Sequence, residues 1–243
     1  MRFASIFWPA AAVALFAVLA LLDASAAKAD AARLLPVLLF AASMSALVNL
    51  AARVQLFEWL VTALERGTAN REAVFAGILV LAVASTVFFS LDTTAIMLTP
   101  LAVQLGSRFR LPLPAVALSI VWIANLASLP LPVSNLTNLL ALSGGAFSSN
   151  HDYIRAAAAP AAAAIAVAVA AAYCARGVYR RGIPASAAAI PDVPRPTGAI
   201  VVLAATVAAL LSPVPYWLTG VVAAVVMLSL IHISEPTRPR LIS

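Results

Sequence analysis

Residues 87–98 read Val-Phe-Phe-Ser-Leu-Asp-Thr-Thr-Ala-Ile-Met-Leu, an apolar run opened in its middle by Ser90, Asp92, Thr93 and Thr94. The run belongs to a longer apolar segment, 73–105, with Pro100 beyond the polar centre. That segment is too long for one helix crossing, which takes roughly 20 residues, and too short for two crossings joined by a loop. A helical hairpin that enters and leaves on the same side fits it. Non-helical backbone at membrane depth is tolerable where it is packed in protein or lines a cavity.

Composition supports a membrane reading throughout. Of 243 residues, 64% are hydrophobic and 10% charged, and the mean hydropathy is +1.04. Soluble domains run nearer 45–50% apolar and 25% charged, so a water-soluble fold is excluded. Segment 34–52 carries no charge and is bounded by Arg33 and Arg53. The expected class is an all-α polytopic membrane protein. Spans are expected at 3–22, 34–52, the hairpin 73–105, 113–142, 154–175, 198–211 and 216–230. Residues 23–33 read as a short polar loop. The first apolar stretch is also compatible with a signal peptide, but a retained span suits the inserted topology of the later segments.

Segment 113–142 is interrupted like the hairpin, by Ser128-Leu129-Pro130-Leu131-Pro132-Val133-Ser134-Asn135-Leu136-Thr137-Asn138. Pro130 and Pro132 each remove a backbone donor, so this is a span broken in its middle. Between 53 and 72, Leu56, Phe57, Leu60 and Leu64 recur at helical spacing while Glu58, Glu65, Arg66 and Arg71 take other positions. That pattern predicts an amphipathic helix at the membrane surface, anchored by Trp59.

The chain has 15 Lys plus Arg against 9 Asp plus Glu, and a pI near 10.4. The basic residues lie between apolar spans, where the positive-inside rule accounts for them. Nucleic acid is not an expected partner. Arg176, Arg180, Arg181 and Arg195 place loop 176–197 in the cytoplasm. Counting back puts Arg108, Arg110, segment 53–72 and the amino terminus inside, provided 73–105 is re-entrant. The expected location is the cytoplasmic membrane, multi-pass, with the amino terminus inside. The single cysteine, Cys174, forbids an intramolecular disulfide and reads as a small buried apolar residue. No cofactor or metal set is expected.

Asp92 is the only acidic residue between Glu72 and Asp152. A carboxyl at membrane depth is neutralised, paired or open to a water-filled cavity, and it marks a functional site by default. Asp92 either handles a proton or ion, with Thr93 and Thr94 beside it, or caps the second hairpin arm; the two roles are compatible. The second interruption offers only neutral groups: Asn125, Ser128, Ser134, Asn135, Thr137 and Asn138. Helix ends and hydroxyls at midplane suit an uncharged polyhydroxy solute or Na⁺, while hydrogen bonding between helices is the other use of such residues. An intramembrane enzyme would need a nucleophile with a base, or paired acids. The histidines are His151 in a loop and His232 near the end of the chain, so no enzyme is expected.

The run from Ser90 to Pro100 resembles the hairpin motif of arsenite/antimonite permeases of the ArsB type, in the ion-transporter superfamily. The run from Ala124 to Asn138 resembles the same family's broken-helix motif, and Leu56-Phe57-Glu58-Trp59 its interfacial segment. The likeness spans roughly residues 30–230. This chain has Leu91 where many members have Asn, and Asn125 where many have Asp. The resemblance implies the first half of an inverted-repeat transporter. It implies efflux of the neutral trihydroxides of As(III) and Sb(III), driven by proton exchange or by a soluble ATPase subunit. A Na⁺/H⁺ antiporter or a carboxylate symporter of the same superfamily is the alternative, as is a fragment that does not transport. Residues 231–243, beginning Ile231-His232-Ile233-Ser234-Glu235-Pro236, resemble translated sequencing-adapter readthrough and are expected to be non-native.

Overall fold

The structure is a computed structural model that describes residues 2–68, 70–179 and 193–234. It contains helices and no strand among the described residues. Helix α1 (Arg2–Leu22) leads into α2 (Ala24–Arg53) through the single residue Asp23. The polar loop expected at 23–33 is instead the first third of α2. Alanine has the highest helix propensity, and Ala24, Ala26, Ala27, Ala29, Ala31 and Ala32 fill this stretch. Asp23 starts the helix, its Oδ1 accepting from the Ser25 and Ala26 amides at 3.0 and 2.9 Å. A bond from the Ser25 hydroxyl, followed by those from the Ala26 and Ser25 amides, favours the carboxylate and holds its pKa below the usual value.

Gln55, in the left-handed region at φ 58, turns the chain into α3 (Leu56–Gly67), which buries Leu56, Phe57, Val61 and Thr62. Helix α4 (Arg71–Phe88) comes next. After a break at Phe89 and Ser90 the second arm runs without interruption through α5 (Leu91–Thr93), a π-helical stretch (Thr94–Leu98) and α6 (Thr99–Arg108). Arg108 at the end of that arm pairs with Glu65 of α3 at 2.5 Å. The chain has therefore turned back toward the end from which α4 started.

Helix α7 (Leu113–Leu126) ends at the second interruption, which holds a 3₁₀ turn (Pro132–Ser134) and resumes as α8 (Leu136–Ser143). Helices α9 (Asn150–Val178), α10 (Thr197–Leu210) and α11 (Tyr216–Ser234) complete the described chain. Among the described residues three helices are long and apolar enough to cross a membrane: α2, α4 and α9. On α9 the buried stripe is Ala157, Ala161, Ala168, Ala172 and Ala175, and Cys174, expected to be buried, lies off it and is exposed.

Packing divides between two cores. One joins α3, α4, α6, α7 and α9 through Phe75, Ile78, Leu105, Ile120, Ile123 and Ala172. The other joins α2, α10 and α11 with the interrupted segment through Val37, Phe40, Leu47, Leu139, Leu203 and Met227. Arg108, Arg176 and Arg195 lie at one end of the bundle. Glu72 at the start of α4 pairs with Arg176 at the end of α9, and the Arg195 guanidinium lies 5.7 Å from the Trp59 ring centre. With Glu65–Arg108 these contacts bring α3 together with the start of α4 and the ends of α6 and α9. Arg180 and Arg181 lie outside the described residues.

Candidate functional site

The tip of the hairpin is built by hydroxyls. Ser90 has φ 152 and ψ 165, a region that is essentially restricted to glycine. Its Oγ accepts from the Thr93 amide at 3.2 Å and lies 3.0 Å from Thr93 Oγ1, so Ser90 rather than Asp92 caps the second arm. Thr94 points away from the tip into the first arm. Its Oγ1 is fully buried, 3.0 Å from Thr86 Oγ1 and 2.9 Å from Ser85 Oγ. These three hydroxyls hold the arms together immediately below the turn, where the break in the helix leaves backbone groups without helical partners. A π-helical stretch then carries the chain away from the tip, a local form frequent near functional sites.

The second interruption is held in the same way, with side-chain donors on the carbonyls that the break frees. Asn138 Nδ2 donates to the Ser128 carbonyl at 2.7 Å and to that of Leu131 at 3.3 Å. Tyr153 of α9 donates its hydroxyl to the Leu129 carbonyl at 2.8 Å, and Ser128 Oγ donates to the Asn125 carbonyl at 2.7 Å. Asn135 caps α8, its Oδ1 accepting from the Thr137 amide at 3.1 Å. Ser134, fully buried, donates to the Val87 carbonyl of α4 at 2.6 Å and ties this break to the hairpin. Asn125 stands apart: it is exposed on α7 with its amide bonded to the Val121 carbonyl at 2.8 Å.

Against the second core lies a cavity of about 180 Å³. Its walls are one face of α2 (Phe40, Met44, Ser45, Val48, Asn49), the hairpin tip from Phe89 to Met97, and Val133, Leu136 and Leu139 of the second break and the start of α8. Of the residues singled out in the sequence, Asp92 and Thr93 line it. Thr94, Ser128, Ser134, Asn135 and Asn138 make the hydrogen bonds that shape the two breaks, and Thr137 is exposed in the first turn of α8. Asp92 is exposed to the cavity, and among the described residues its carboxylate has no ion-pair partner.

Sequence reasoning missed the α2 wall. Ser45 and Asn49 stand one helical turn apart on the cavity face, and Asn49 Nδ2 donates to the Ser45 carbonyl at 2.8 Å. That bond turns Asn49 Oδ1 outward as an acceptor. The signal was present as two polar residues at i and i+4 in an otherwise apolar span. Among the described residues no Lys, Arg or His lines the cavity. Its polar side chains are one carboxylate, the hydroxyls of Ser45, Ser90 and Thr93, and the Asn49 amide. Oxygen donors of this kind suit a proton or a hard cation.

Comparison with curated proteins and with solved structures gave no match. A family model described as citrate transporter matches residues 3–238. The match reaches the ion-transporter superfamily that the two motifs indicated and does not extend to its arsenite-permease branch. It takes in both cores and every wall of the cavity. The chain belongs to the citrate transporter family, whose members are secondary transporters of the ion-transporter superfamily.

Proposed function

We propose that this chain forms part of a cation-coupled carboxylate transporter in which Asp92 binds the coupling ion, a proton or Na⁺. The observation that carries the reading is the position of Asp92: a carboxylate without an ion-pair partner among the described residues, facing a cavity walled by α2, the hairpin tip and the second break. An isolated carboxylate at depth is costly unless it is neutralised. A cation at Asp92 supplies that neutralisation. It also removes the negative charge that would repel a solute carboxylate in a cavity lined, among the described residues, by no basic side chain. Loading of cation and solute is then coupled through charge, because each lowers the cost of the other. The family's description as citrate transporter favours a carboxylate solute.

Ser90 and Thr93 complete the oxygen shell on the hairpin side, and Ser45 and Asn49 face them from α2. Asn135, Thr137 and the carbonyls of the second break belong to the same assembly as the frame of its third wall. The hairpin is re-entrant in this reading. The support is the Glu65–Arg108 pair, which brings the end of the second arm to the helix that precedes the first. Efflux of neutral As(III) or Sb(III) trihydroxide is a second reading, favoured by the hydroxyl and amide groups of the lining.

The experiment is uptake and efflux in vesicles bearing the chain, with radiolabelled citrate and with arsenite, under imposed proton and Na⁺ gradients. Gradient-dependent citrate movement that is lost in Asp92→Asn and retained in part by Asp92→Glu is the expected result. Citrate movement unaffected by Asp92→Asn removes Asp92 from coupling, and gradient-driven arsenite efflux alone shifts the assignment to the second reading.

A further inference from the structure

The start of α4 and the end of α9 are pinned together. The pin is Arg176. It pairs with Glu72, its guanidinium lies 5.1 Å from the Phe75 ring centre, and Phe75 meets Tyr173 edge-on at 5.3 Å. Arg71, Tyr173, Arg176 and Gly177 surround a pocket of about 370 Å³ at that end. A second hollow of about 430 Å³ begins at the same Tyr173 and runs along α4 through Ala76, Val80, Val83, Ala84 and Val87 to Phe88. Positions 76, 80, 83 and 87 share one helix face, and the short side chains of Ala76 and Ala84 leave the hollow open. Val80 is 66% exposed there.

The groove from Ala76 to Phe88 is about 18 Å long at 1.5 Å per residue. That is close to one leaflet of a hydrocarbon core of about 30 Å. The head pocket holds Arg71 and Arg176 against Glu72 alone, leaving net positive charge, and Tyr173 sits where tyrosines gather at headgroup level. We propose that this pocket and the groove that meets it at Tyr173 are a binding site for an anionic phospholipid, its phosphate between Arg71 and Arg176 and one acyl chain along α4. A neutral lipid would satisfy the groove and not the arginines. A free anion would satisfy the arginines and leave the groove empty. The charge and the length together select the anionic lipid.

Native mass spectrometry of the full chain in neutral detergent tests the site, with phosphatidylglycerol and phosphatidylcholine of identical acyl chains as probes. The unsubstituted chain should retain phosphatidylglycerol at least about fivefold more than phosphatidylcholine. Arg71→Gln should remove most of that preference, Arg71→Lys should keep it, and Ala84→Phe should displace the bound lipid by filling the groove. Glycerophosphoglycerol, the same headgroup without chains, should not compete. Equal retention of the two lipids by the unsubstituted chain overturns the proposal, as does competition by the bare headgroup. Cross-linking of Val80→Cys to a second copy, or to another protein segment lying in the groove, overturns it as well.

Discussion

Ser134, in the second interruption, donates its hydroxyl to the carbonyl of Val87, in the last turn of the first hairpin arm, at 2.6 Å across 47 positions of sequence. One bond thereby satisfies a carbonyl freed by the first break with a side chain supplied by the second. It also fixes the spacing between the Asp92 tip and the α8 wall of the cavity, since Val133 beside it lines that cavity. Ser134→Ala should therefore lower stability by about 0.6–1.7 kcal/mol, the range found for buried hydrogen bonds in membrane proteins. Thermal unfolding in detergent reads the loss. An unchanged midpoint would mean that the Val87 carbonyl finds another donor and that the two breaks are not joined through this bond.

Ser90 combines strain with a cap, and the two can be separated. Both Ser90→Gly and Ser90→Ala lose the Oγ that accepts from the Thr93 amide. Only glycine adopts φ 152 and ψ 165 without steric cost. Strain of this kind costs about 1–3 kcal/mol, and the greater freedom of glycine in the unfolded chain offsets roughly 0.5–1 kcal/mol of any gain. Ser90→Gly should then be more stable than Ser90→Ala by about 1 kcal/mol. If alanine proves the better of the two, the tip does not hold this backbone conformation in the protein.

The ends of the hairpin arms give a topological prediction. Gly67, where an added Cβ meets nothing within 4 Å, precedes the first arm, and exposed Arg110 lies just after the second. Single cysteines at these positions, in a Cys174→Ser background, should react with a membrane-impermeant maleimide from the same side. Reaction from opposite sides would make 73–105 a through-crossing. The Glu65–Arg108 pair is partly exposed and adds little energy of its own, so Arg108→Gln should leave the labelling pattern unchanged.

How far the sequence discloses this molecule depends on which properties are local. Two polar runs in apolar segments, the serine and threonines of 90–94 and the prolines and serines of 128–138, mark where helices must stop, because a competing hydroxyl or a missing amide acts within a few residues. Asp92 stands out for the same reason, being a charge where its surroundings admit none. The role of neighbouring hydroxyls is not local. Thr93 and Thr94 are adjacent and chemically identical, yet one lines the cavity and the other is buried against Ser85 and Thr86. Only the crossing of the two arms decides between them. Ser45 and Asn49 are two ordinary polar residues in a span until α2 is placed against the hairpin tip. Reading 24–33 as a loop gives its charges more weight than its alanines, whose propensity, with the Asp23 cap, prevails.

The second core rests on the approach of α11 to α2, and one glycine permits it. A Cβ added at Gly220 would lie 2.4 Å from Ser43 Oγ and 3.2 Å from Phe40 Cδ2. Ser43 cannot simply swing aside, because its hydroxyl donates to the Phe40 carbonyl at 2.9 Å within a buried face of α2. Gly220→Ala should thus force the helices apart or break that bond, at a cost of about 1–3 kcal/mol typical of overpacking. Alanine's better helix propensity returns at most about 1 kcal/mol, so the net effect is destabilising. Ser43→Ala deletes the clashing atom, and removing a bond within one helix should cost little by itself. The double variant Ser43→Ala/Gly220→Ala should recover most of the stability lost by Gly220→Ala, leaving only the milder Phe40 contact. Additive losses in the double variant, measured as unfolding midpoints, would show that the clash is not with Ser43 and that α2 and α11 do not meet at this pair. Because Phe40 also lines the Asp92 cavity, Gly220→Ala should disturb cation coupling more than a lipid-facing substitution such as Val222→Ala on the same helix.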